Sequence, residues 1–262
     1  MYEHYRFLKF EYRGRCLLVT MDNPPVNAAH LELHNELSQV FYDVERDDAC
    51  DLVVLTGAGR AFSAGGDLPG MLKACDDPSI SASMIVRTPH IVRSMLAMEK
   101  PVIAMVNGHA MGLGATLALL ADVAIMAEGA KIADPHVNVG LSAGDGGALL
   151  WPLLIGYARA RHYLLTGEAI VAAEAAQIGL IHKAVPAEQL EGAVWAYAER
   201  LLALPKLAVR ITKRSINMGL RQQAESLVDA HAGLEHLTIA TQDHREAVQA
   251  FLEKRPPVFR GV

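Results

Sequence analysis

The same local pattern occurs twice in the sequence: a short apolar run ends in glycine, a glycine-rich loop follows, and a helix-forming segment comes next. The apolar runs are DLVVLTG at residues 51–57 and PVIAMVNG at residues 101–108. Short apolar runs bounded by glycine are typical of strands that are buried on both faces. Helices must then cover both faces of the sheet, so the pattern favours an α/β fold.

The segments around these runs extend the same prediction. Residues 7–21 (FLKFEYRGRCLLVTM) contain two strand-like runs on either side of Arg13 and Gly14, which predicts a β-hairpin. Apolar residues recur at helical spacing over residues 31–44, and the small-residue segment 113–120 also predicts a helix. Strands and helices therefore alternate through the first half of the chain.

The last third of the chain is predicted to be helical. Pro205, Gly219 and the polar segment TQDH at residues 241–244 separate the predicted helices. These helices span residues 187–203, 206–219, 223–240 and 243–254. The sequence therefore predicts one α/β core over residues 1–195 and a helical C-terminal oligomerisation region over residues 196–262.

Composition and charge exclude several kinds of partner. The formal net charge is -5, and the chain has no basic tract that would bind nucleic acid or an anionic membrane surface. The apolar region at residues 101–127 is interrupted by Asn107, His109 and Asp122, which predicts a buried segment rather than a membrane helix. The N-terminal residues lack the apolar core of a signal peptide. The 3 cysteines have no metal-ligand spacing, so we expect a cytoplasmic protein without a metal site.

Two glycine-rich loops follow the predicted strands, GAGRAFSAGGDL at residues 57–68 and NGHAMGLGATL at residues 107–117. Neither has the glycine spacing of a dinucleotide fingerprint, and neither ends in the lysine and hydroxyl residue of a phosphate-binding loop. Glycine allows a backbone to approach a ligand closely, and paired N–H groups stabilise a carbonyl oxygen that gains negative charge. From the glycines alone, two tight and closely packed turns are the commoner explanation.

Four longer segments resemble the crotonase superfamily, also called the enoyl-CoA hydratase/isomerase superfamily. They are GRAFSAGGDL, PVIAMVNGHAMGLGATLALLADVAI, LLTGEAIVAAEAAQIGLIHKAVP and FLEKRPPVF, in the order and spacing of that family. The resemblance implies a spiral of repeated ββα units with a C-terminal helical trimerisation region. It also implies a homotrimer or a dimer of trimers, and an acyl-CoA substrate that carries coenzyme A in place of a separate bound cofactor.

The resemblance further implies roles for residues in both glycine loops. The backbone N–H groups of Gly66 and Leu113 would form an oxyanion hole for the thioester carbonyl oxygen. The main chain around Ala64, Asp67 and Leu68, together with those two residues, would bind the CoA thioester. A leucine at the second position is no obstacle, because the donor there is a main-chain group.

The sequence departs from the hydratases at both of their acid/base positions. The resemblance places one catalytic glutamate three residues after the second oxyanion donor, where this chain has Thr116. It places the other glutamate after a proline, where this chain has His136 in the segment DPH. The ordinary two-glutamate hydration mechanism is therefore not predicted for this chain.

His136 and Asp145 stand close together in the segment DPHVNVGLSAGDGG. They are interpreted in one way as a catalytic pair, in which an imidazole that titrates near neutrality moves a proton and a carboxylate orients it. In the other interpretation His136 bonds to a loop carbonyl and Asp145 caps the following helix, as aspartate often does. Because His136 falls on a catalytic position of the superfamily, the catalytic interpretation is favoured.

The same segment resembles oxocamphor hydrolase and related β-diketone hydrolases, a branch that cleaves carbon–carbon bonds. In that branch a histidine and an aspartate occupy the places of His136 and Asp145, and a C-terminal glutamate corresponds to Glu235 in AGLEHL. A solvated surface glutamate is the alternative for Glu235. The first loop differs, because SAGGDL has the CoA-thioester form, and Leu113 stands where that branch has a histidine.

We therefore expect an acyl-CoA-processing enzyme of the enoyl-CoA hydratase/isomerase type that stabilises a thioester enolate. Two alternatives stay open at this point. One is a carbon–carbon bond hydrolase that acts on a β-diketone or a β-keto thioester through His136 and Asp145. The other is an acyl-CoA-binding protein without catalytic activity.

Overall fold

The computed structural model describes residues 1–261 and contains ten strands, nine α-helices and two short 3₁₀ helices (His136–Val139 and Ala187–Gln189) in that range. The strands are β1 (Leu8–Arg13), β2 (Cys16–Met21), β3 (Leu52–Gly57), β4 (Ala61–Ser63), β5 (Val102–Val106), β6 (His109–Met111), β7 (Val123–Ala127), β8 (Lys131–Ala133), β9 (Ile170–Val171) and β10 (Lys183–Val185). The helices are α1 (Leu31–Glu45), α2 (Leu68–Asp76), α3 (Pro78–Ala97), α4 (Leu113–Leu120), α5 (Gly147–Thr166), α6 (Ala172–Gln177), α7 (Leu190–Leu202), α8 (Lys206–Ile239) and α9 (Gln242–Leu252).

The strands form two sheets. The larger sheet has six strands in the order β1-β2-β3-β5-β7-β10, and the smaller has four in the order β4-β6-β8-β9. Strand β1 is antiparallel to β2, with Arg13 opposite Cys16, which confirms the predicted hairpin. The other pairs of the larger sheet are parallel, and in the smaller sheet β9 is antiparallel to β8.

Each repeated unit of two strands and the helices that follow them adds one strand to each sheet. The pairs β3–β4, β5–β6 and β7–β8 follow one another, and helices come after each pair. The first strands of these pairs lie side by side in the larger sheet, and the second strands lie side by side in the smaller one. The chain is therefore a spiral of ββα units, and the predicted α/β fold class with a C-terminal helical region is confirmed.

The smaller sheet brings together the three segments that the sequence analysis singled out. Strand β4 ends just before the glycines of the first loop, β6 ends just before Gly112, and β8 ends just before the segment DPH at residues 134–136. Because β4, β6 and β8 are parallel neighbours, their carboxyl ends lie at the same edge of the sheet. The candidate site forms at that edge.

The core confirms the helices and strands predicted from apolar patterns. Strand β3 is buried along its whole length. Helix α1, predicted over residues 31–44, buries Leu33, Leu37 and Val40 on one face. Helix α4, predicted over residues 113–120, is buried at every position, and α7 lies against β5 and β7.

The C-terminal region differs from the prediction at one point. The sequence predicts a break at Gly219, but α8 continues through this residue from Lys206 to Ile239. A glycine inside a helix costs only about 1 kcal/mol relative to alanine, and the helical turns on both sides outweigh that cost. The predicted break at Pro205 is confirmed, because α8 begins directly after it. The break before α9 is also confirmed, because the Thr241 side chain caps that helix.

Helix α8 exposes part of its apolar surface. Leu227, Leu234 and Leu237 keep 39%, 56% and 67% of their surface exposed, and Leu207 and Ile216 are more exposed still. Ile216, Leu227, Leu234 and Leu237 lie on one side of the helix and define the apolar face of α8, which is available for contact with other chains, whereas Leu207 lies on the opposite side. Within residues 1–261, no helix combines the length and apolar character needed to cross a membrane.

Candidate active site

The first glycine loop is held by polar side chains. Asn27, at a positive φ of 54°, donates from Nδ2 to the carbonyl oxygen of Ala61 at 2.9 Å. Ser63 Oγ accepts from the Gly65 N–H at 3.2 Å and donates to the carbonyl oxygen of Asn27 at 2.7 Å. A Cβ on Gly65, whose φ is +82°, would lie 2.6 Å from the carbonyl oxygen of Met111. Only glycine therefore allows the first loop to pack this closely against the end of β6.

The second glycine loop lies directly against the first. A Cβ on Gly114 would lie 2.7 Å from the carbonyl oxygen of Ser63, so α4 begins in contact with the first loop. Gly112 has a φ of +51° and donates from its N–H to the carbonyl oxygen of Ala133 at 3.0 Å. A Cβ on Gly112 would lie 3.3 Å from Cε1 of His136. The start of α4, the first loop and His136 are thus immediate neighbours.

Among the described residues, nothing accepts a hydrogen bond from the backbone N–H of Gly66 or of Leu113. Leu113 is the first residue of α4, and the first N–H groups of a helix have no partner within the helix. The helix dipole adds positive potential at this position. The two amides that the resemblance assigns to an oxyanion hole are therefore both free to bind an oxygen atom.

A cleft joins the two loops to the histidine. Ala64, Gly66 and Leu68 line it from the first loop, Gly112 lines it from the second, and His136 lines it from the segment after β8. One cleft therefore holds three of the residues predicted to bind the CoA thioester together with the predicted catalytic histidine.

The other two residues predicted to bind the thioester do not line this cleft with their side chains. The carboxylate of Asp67 caps α2 by accepting from the Gly70 N–H at 2.9 Å, and Asp67 borders a second cavity. The Leu113 side chain is buried in the core. Leu113 is not among the residues that line the cleft, and its predicted role in binding the thioester stays a prediction.

His136 lies in a buried group of charged side chains, which we call the His136 cluster and define as Asp134, His136, Asp145 and Glu235. Nδ1 of His136 forms a hydrogen bond with Oδ1 of Asp134. Its Nε2 lies 3.5 Å from Oδ2 of Asp145 and 3.9 Å from Oε1 of Glu235. The Glu235 side chain is 14% exposed, and the other three are more deeply buried. The structure thus brings together all three residues predicted to be catalytic, although Glu235 comes from α8.

The carboxylates of the cluster keep His136 charged. Burial alone would lower the pKa of this imidazole, but the negative charges of Asp134 and Asp145 outweigh burial and raise the pKa of His136 well above its ordinary value. The ordinary imidazole pKa expected from the sequence therefore does not hold in this site. At neutral pH the ring is an imidazolium, which donates from both nitrogens.

Glu235 is the group of the cluster that titrates near neutral pH. Burial raises the pKa of Glu235 to about 8, although the positive charge of His136 opposes this shift. Burial also raises the pKa of Asp145, against the effects of the His136 charge and a hydrogen bond from Thr116. A carboxyl group with a pKa this close to neutrality can both release and accept a proton under physiological conditions.

Thr116, which stands at the place of the first hydratase glutamate, holds Asp145. Its Oγ1 donates to Oδ1 of Asp145 at 3.0 Å, and both residues are buried. Gly146 is the N-cap of α5, but Asp145 directly before it also takes a hydrogen bond from the Gly147 backbone at the start of this helix, so Asp145 bonds both to Thr116 and to the helix start. The alternative for His136 is wrong, because its Nδ1 bonds to the Asp134 carboxylate and not to a loop carbonyl.

Asp134 is the member of the cluster that the sequence analysis missed. It is buried, and its Oδ2 has no hydrogen-bond partner within residues 1–261. This oxygen packs against the start of α5, since a Cβ on Gly147 would lie 1.7 Å from it. The sequence did contain a signal, because an aspartate directly after a parallel strand lies at the edge where sites form in α/β sheets.

The same cluster contains groups that can bind metals. Asp134, His136 and Asp145 each place one potential ligand atom within 4.8 Å of the others. Carboxylate oxygens and imidazole nitrogens are common ligands for divalent ions. The imidazolium of His136 already offsets negative charge here and uses Nδ1 in its bond to Asp134. The absence of a metal therefore stays a prediction from the sequence.

The family to which these features belong is shown by comparison with known proteins. The family model described as "Enoyl-CoA hydratase/isomerase" matches residues 11–262. The chain belongs to the enoyl-CoA hydratase/isomerase family. Crotonyl-CoA hydratase of Syntrophomonas wolfei is 37% identical over 259 residues, which cover 97% of this chain and 98% of that protein.

Solved structures agree with this assignment to the enoyl-CoA hydratase/isomerase family. An enoyl-CoA hydratase/isomerase from Mycobacterium paratuberculosis has a TM-score of 0.91 at 36% identity and covers 95% of this chain and 99% of its own. A β-diketone hydrolase from the cyanobacterium Anabaena, bound to (S)-3-oxocyclohexyl acetic acid, has a TM-score of 0.85 at 30% identity and covers 91% of this chain and 96% of its own. This member of the enoyl-CoA hydratase/isomerase family is therefore similar to both kinds of enzyme over most of its length.

Proposed function

We propose that the protein is an acyl-CoA enzyme that stabilises a thioester enolate. In this proposal Gly66 and Leu113 form the oxyanion hole, and the His136 cluster moves the proton. The observation that carries the proposal is one cleft that joins the two free-amide loops to a buried group of acid and base side chains. Membership of the enoyl-CoA hydratase/isomerase family supports acyl-CoA as the substrate class.

The oxyanion hole would act on the thioester oxygen. Negative charge grows on this oxygen as the thioester becomes an enolate, so two fixed N–H donors bind the enolate more strongly than the substrate. In a site that excludes water, the loss of one such donor typically costs about 2.7–4 kcal/mol of transition-state stabilisation. The positive φ of Gly112, directly before Leu113, supports the orientation of the second donor.

The His136 cluster would supply the proton in a relay. His136 lines the cleft as an imidazolium, so it can donate a proton to the substrate carbon or to a leaving oxygen. Glu235 lies behind it and holds a proton at neutral pH, so it can restore the imidazolium. Asp134 and Asp145 would act as positioning residues that hold the ring and favour its charged form.

Enolate formation can be tested by hydrogen exchange at the α-carbon of an acyl-CoA. Where Glu235 is ionised, His136 can pass its proton to it, and the neutral ring then accepts the α-proton as the enolate forms. We expect the protein to replace the α-protons of butyryl-CoA with deuterium in D₂O, measured by NMR. Hydration of crotonyl-CoA and migration of its double bond, followed in the same preparation, distinguish a lyase from an isomerase. If butyryl-CoA binds but no α-proton exchanges and no product forms, the catalytic proposal is wrong and the protein is an acyl-CoA-binding protein.

A second candidate function is hydrolysis of a carbon–carbon bond. Two observations favour it, the contact between Glu235 and His136 and the likeness to a β-diketone hydrolase. Water would add to the β-carbonyl of a β-keto thioester, and the bond from this carbon to the α-carbon would break. The electron pair leaves as a thioester enolate, which takes a proton. The products are a carboxylic acid and a shortened thioester.

The two candidates require different substrates. Acetoacetyl-CoA tests cleavage of a β-keto thioester, and cyclohexane-1,3-dione tests cleavage of a diketone that carries no CoA. Products can be separated by mass spectrometry after incubation in H₂¹⁸O, because hydrolysis places one ¹⁸O in the acid. Formation of an ¹⁸O-labelled acid when the diketone is the substrate supports the second candidate. Exchange of butyryl-CoA protons without any cleavage supports the first.

We further propose that the protein assembles as a homotrimer or a dimer of trimers. The apolar face of α8 supports this, because an exposed apolar stripe of this extent is typical of an interface. The three free cysteines, two of them buried, agree with a reducing cytoplasm as the compartment.

A further inference from the structure

The loop at residues 140–146, directly before α5, lies along the last turns of α8. Leu141 in this loop and Ile239 in α8 belong to one small buried apolar cluster. One residue further along the loop and one residue back along the helix, the N–H of Ser142 donates to Oγ1 of Thr238 at 3.1 Å. The two segments therefore run in opposite directions and are in contact at successive residues.

The next contact brings the loop against Glu235. A Cβ on Gly144 would lie 2.6 Å from Cβ of Glu235 and 2.4 Å from the carbonyl oxygen of His231, which is one turn earlier in α8. Only glycine therefore lets the loop pass this close to the helix, and Asp145 follows it immediately. Any shift of the loop along α8 would change the distance between Asp145 and Glu235.

Thr238 is the side chain that joins the two segments by hydrogen bonds. Besides accepting from the Ser142 N–H, its hydroxyl group donates to the carbonyl oxygen of Glu235 at 2.6 Å. One hydroxyl group thus connects the backbone of the loop to the backbone of the residue whose carboxyl group faces His136. Thr238 is not among the residues that line the His136 cleft, so it would not touch a substrate there.

We infer that Thr238 is a positioning residue, whose hydroxyl group keeps Glu235 in register with the 140–146 loop and therefore next to His136. This inference rests on the proposed function, because the register matters for the rate only if Glu235 exchanges protons with His136. The charged groups that face Glu235 are His136, Asp145 and Asp134. All three lie between β8 and α5, so a looser contact between the loop and α8 would change their distances from Glu235.

Thr238→Val tests the inference, because valine has the shape of threonine but neither donates nor accepts a hydrogen bond. The Ser142 N–H must then bind water, which enters between the loop and α8. We expect kcat for α-proton exchange in butyryl-CoA to fall at least about tenfold with KM unchanged within about twofold, since a shift of about 1 Å can cost about 10²-fold. The apolar contact of Leu141 with Ile239 remains, so we expect the fold to be kept.

A second readout follows the carboxyl group of Glu235 directly. Burial raises the pKa of Glu235 to about 8, so water that enters beside it in Thr238→Val should lower this pKa towards its ordinary value. Carbon-13 NMR of protein labelled at the glutamate carboxyl carbons measures the titration, and Glu235→Gln assigns the signal. A threonine that only stabilised the helix would affect Tm and leave this pKa unchanged.

Two further variants on α8 serve as comparisons. Thr238→Ser keeps the hydroxyl group and should retain most of the activity and the raised pKa of Glu235. Ser226→Ala removes an exposed hydroxyl group that donates to the carbonyl oxygen of Gln222 at 3.0 Å, a bond that stays within α8. It should therefore behave as the wild type. A loss in Thr238→Val that serine restores supports the inference.

The outcomes separate this inference from the proposed function. If the wild type exchanges α-protons and Thr238→Val keeps either kcat or the raised pKa of Glu235, Thr238 has no positioning role and the proposed function still stands. The same conclusion follows if Thr238→Ser loses as much activity as Thr238→Val. If the wild type neither exchanges α-protons nor converts crotonyl-CoA, the proposed function fails and this inference fails with it.

Discussion

Glu235, near the end of α8, lies 3.9 Å from Nε2 of His136, although the two residues are far apart in the sequence. This contact adds a third carboxyl group to a site where a histidine is already bonded to Asp134 and lies 3.5 Å from Asp145. Three buried carboxyl groups around one imidazole cannot all be ionised without a large cost. The His136 cluster avoids this cost because His136 is charged and Glu235 is protonated near neutral pH.

Removal of His136 should affect both activity and stability. We expect His136→Ala to lower kcat by about 10²–10⁴-fold, the usual range for a positioned proton-transfer residue. The variant also leaves buried carboxylates without their cation, which should cost about 3–5 kcal/mol of unfolding free energy. Urea unfolding at neutral pH measures this cost. His162→Ala, at an exposed pair with Glu168, is the control, and an equal effect there would contradict the prediction.

Asp145→Asn removes the negative charge of this side chain but keeps its size and shape. The amide is nearly isosteric and can still accept from Thr116, but it no longer stabilises the imidazolium. We expect kcat to fall by about 10²–10⁴-fold with a smaller change in KM, because the ring loses charge stabilisation. The pKa of His136, followed by NMR of the imidazole, should fall in the same variant. Full activity with an unchanged imidazole pKa would show that Asp145 has no such role.

Glu235→Gln should change how stability depends on pH. The pKa of Glu235 is raised from 4.5 to about 8 on folding, so between these values the folded state holds more protons than the unfolded state. Its contribution to stability is therefore present at low pH and lost as pH rises through this window. One such proton is worth up to about 1.4 kcal/mol per pH unit. We expect the unfolding free energy of Glu235→Gln to fall less steeply than that of the wild type.

The control for this variant is Glu225→Gln on the same helix, where the carboxylate forms an exposed pair with Arg93. Its stability should follow the same pH dependence as the wild type. The rate of crotonyl-CoA hydration, in which His136 would donate a proton to the substrate, should also fall as pH rises through about 8. The reason is that Glu235 then loses the proton that it supplies to His136. Parallel stability curves for the wild type and Glu235→Gln would contradict a buried, protonated carboxyl group.

If the apolar face of α8 forms the trimer interface, charges placed on this face should dissociate the trimer. Leu234→Glu combined with Leu237→Glu places charges on two exposed leucines. Because the desolvation of charged groups in an apolar interface is costly, we expect the trimer to dissociate to a monomer. Light scattering at micromolar protein measures the mass. The double change Arg221→Glu and Gln222→Glu, at exposed polar positions of α8, should leave the assembly intact, and a monomeric wild type would refute the proposed trimer.

Much of this architecture follows from local patterns in the sequence. The apolar run at residues 51–57 specifies a strand buried along its whole length, and the spacing in residues 31–44 specifies the buried face of α1. The glycines at 65 and 112 indicate tight loops, and the structure shows the positive φ angles that require them. Such patterns are readable because periodicity and backbone conformation depend on near neighbours. Gly219 was misread because a local helix penalty is small compared with the stability of a long helix.

The chemistry of the site was decided by tertiary structure. The sequence supplied His136 and Asp145, and the resemblance supplied Glu235, but only the folded chain shows that Asp134 bonds to the ring and that Glu235 lies 3.9 Å from it. The charge on His136 and the raised pKa of Glu235 follow from burial and from the distances between groups that the sheet edge and α8 bring together. Electrostatic energies depend on separation and on exclusion of water, and neither quantity exists until the chain has folded.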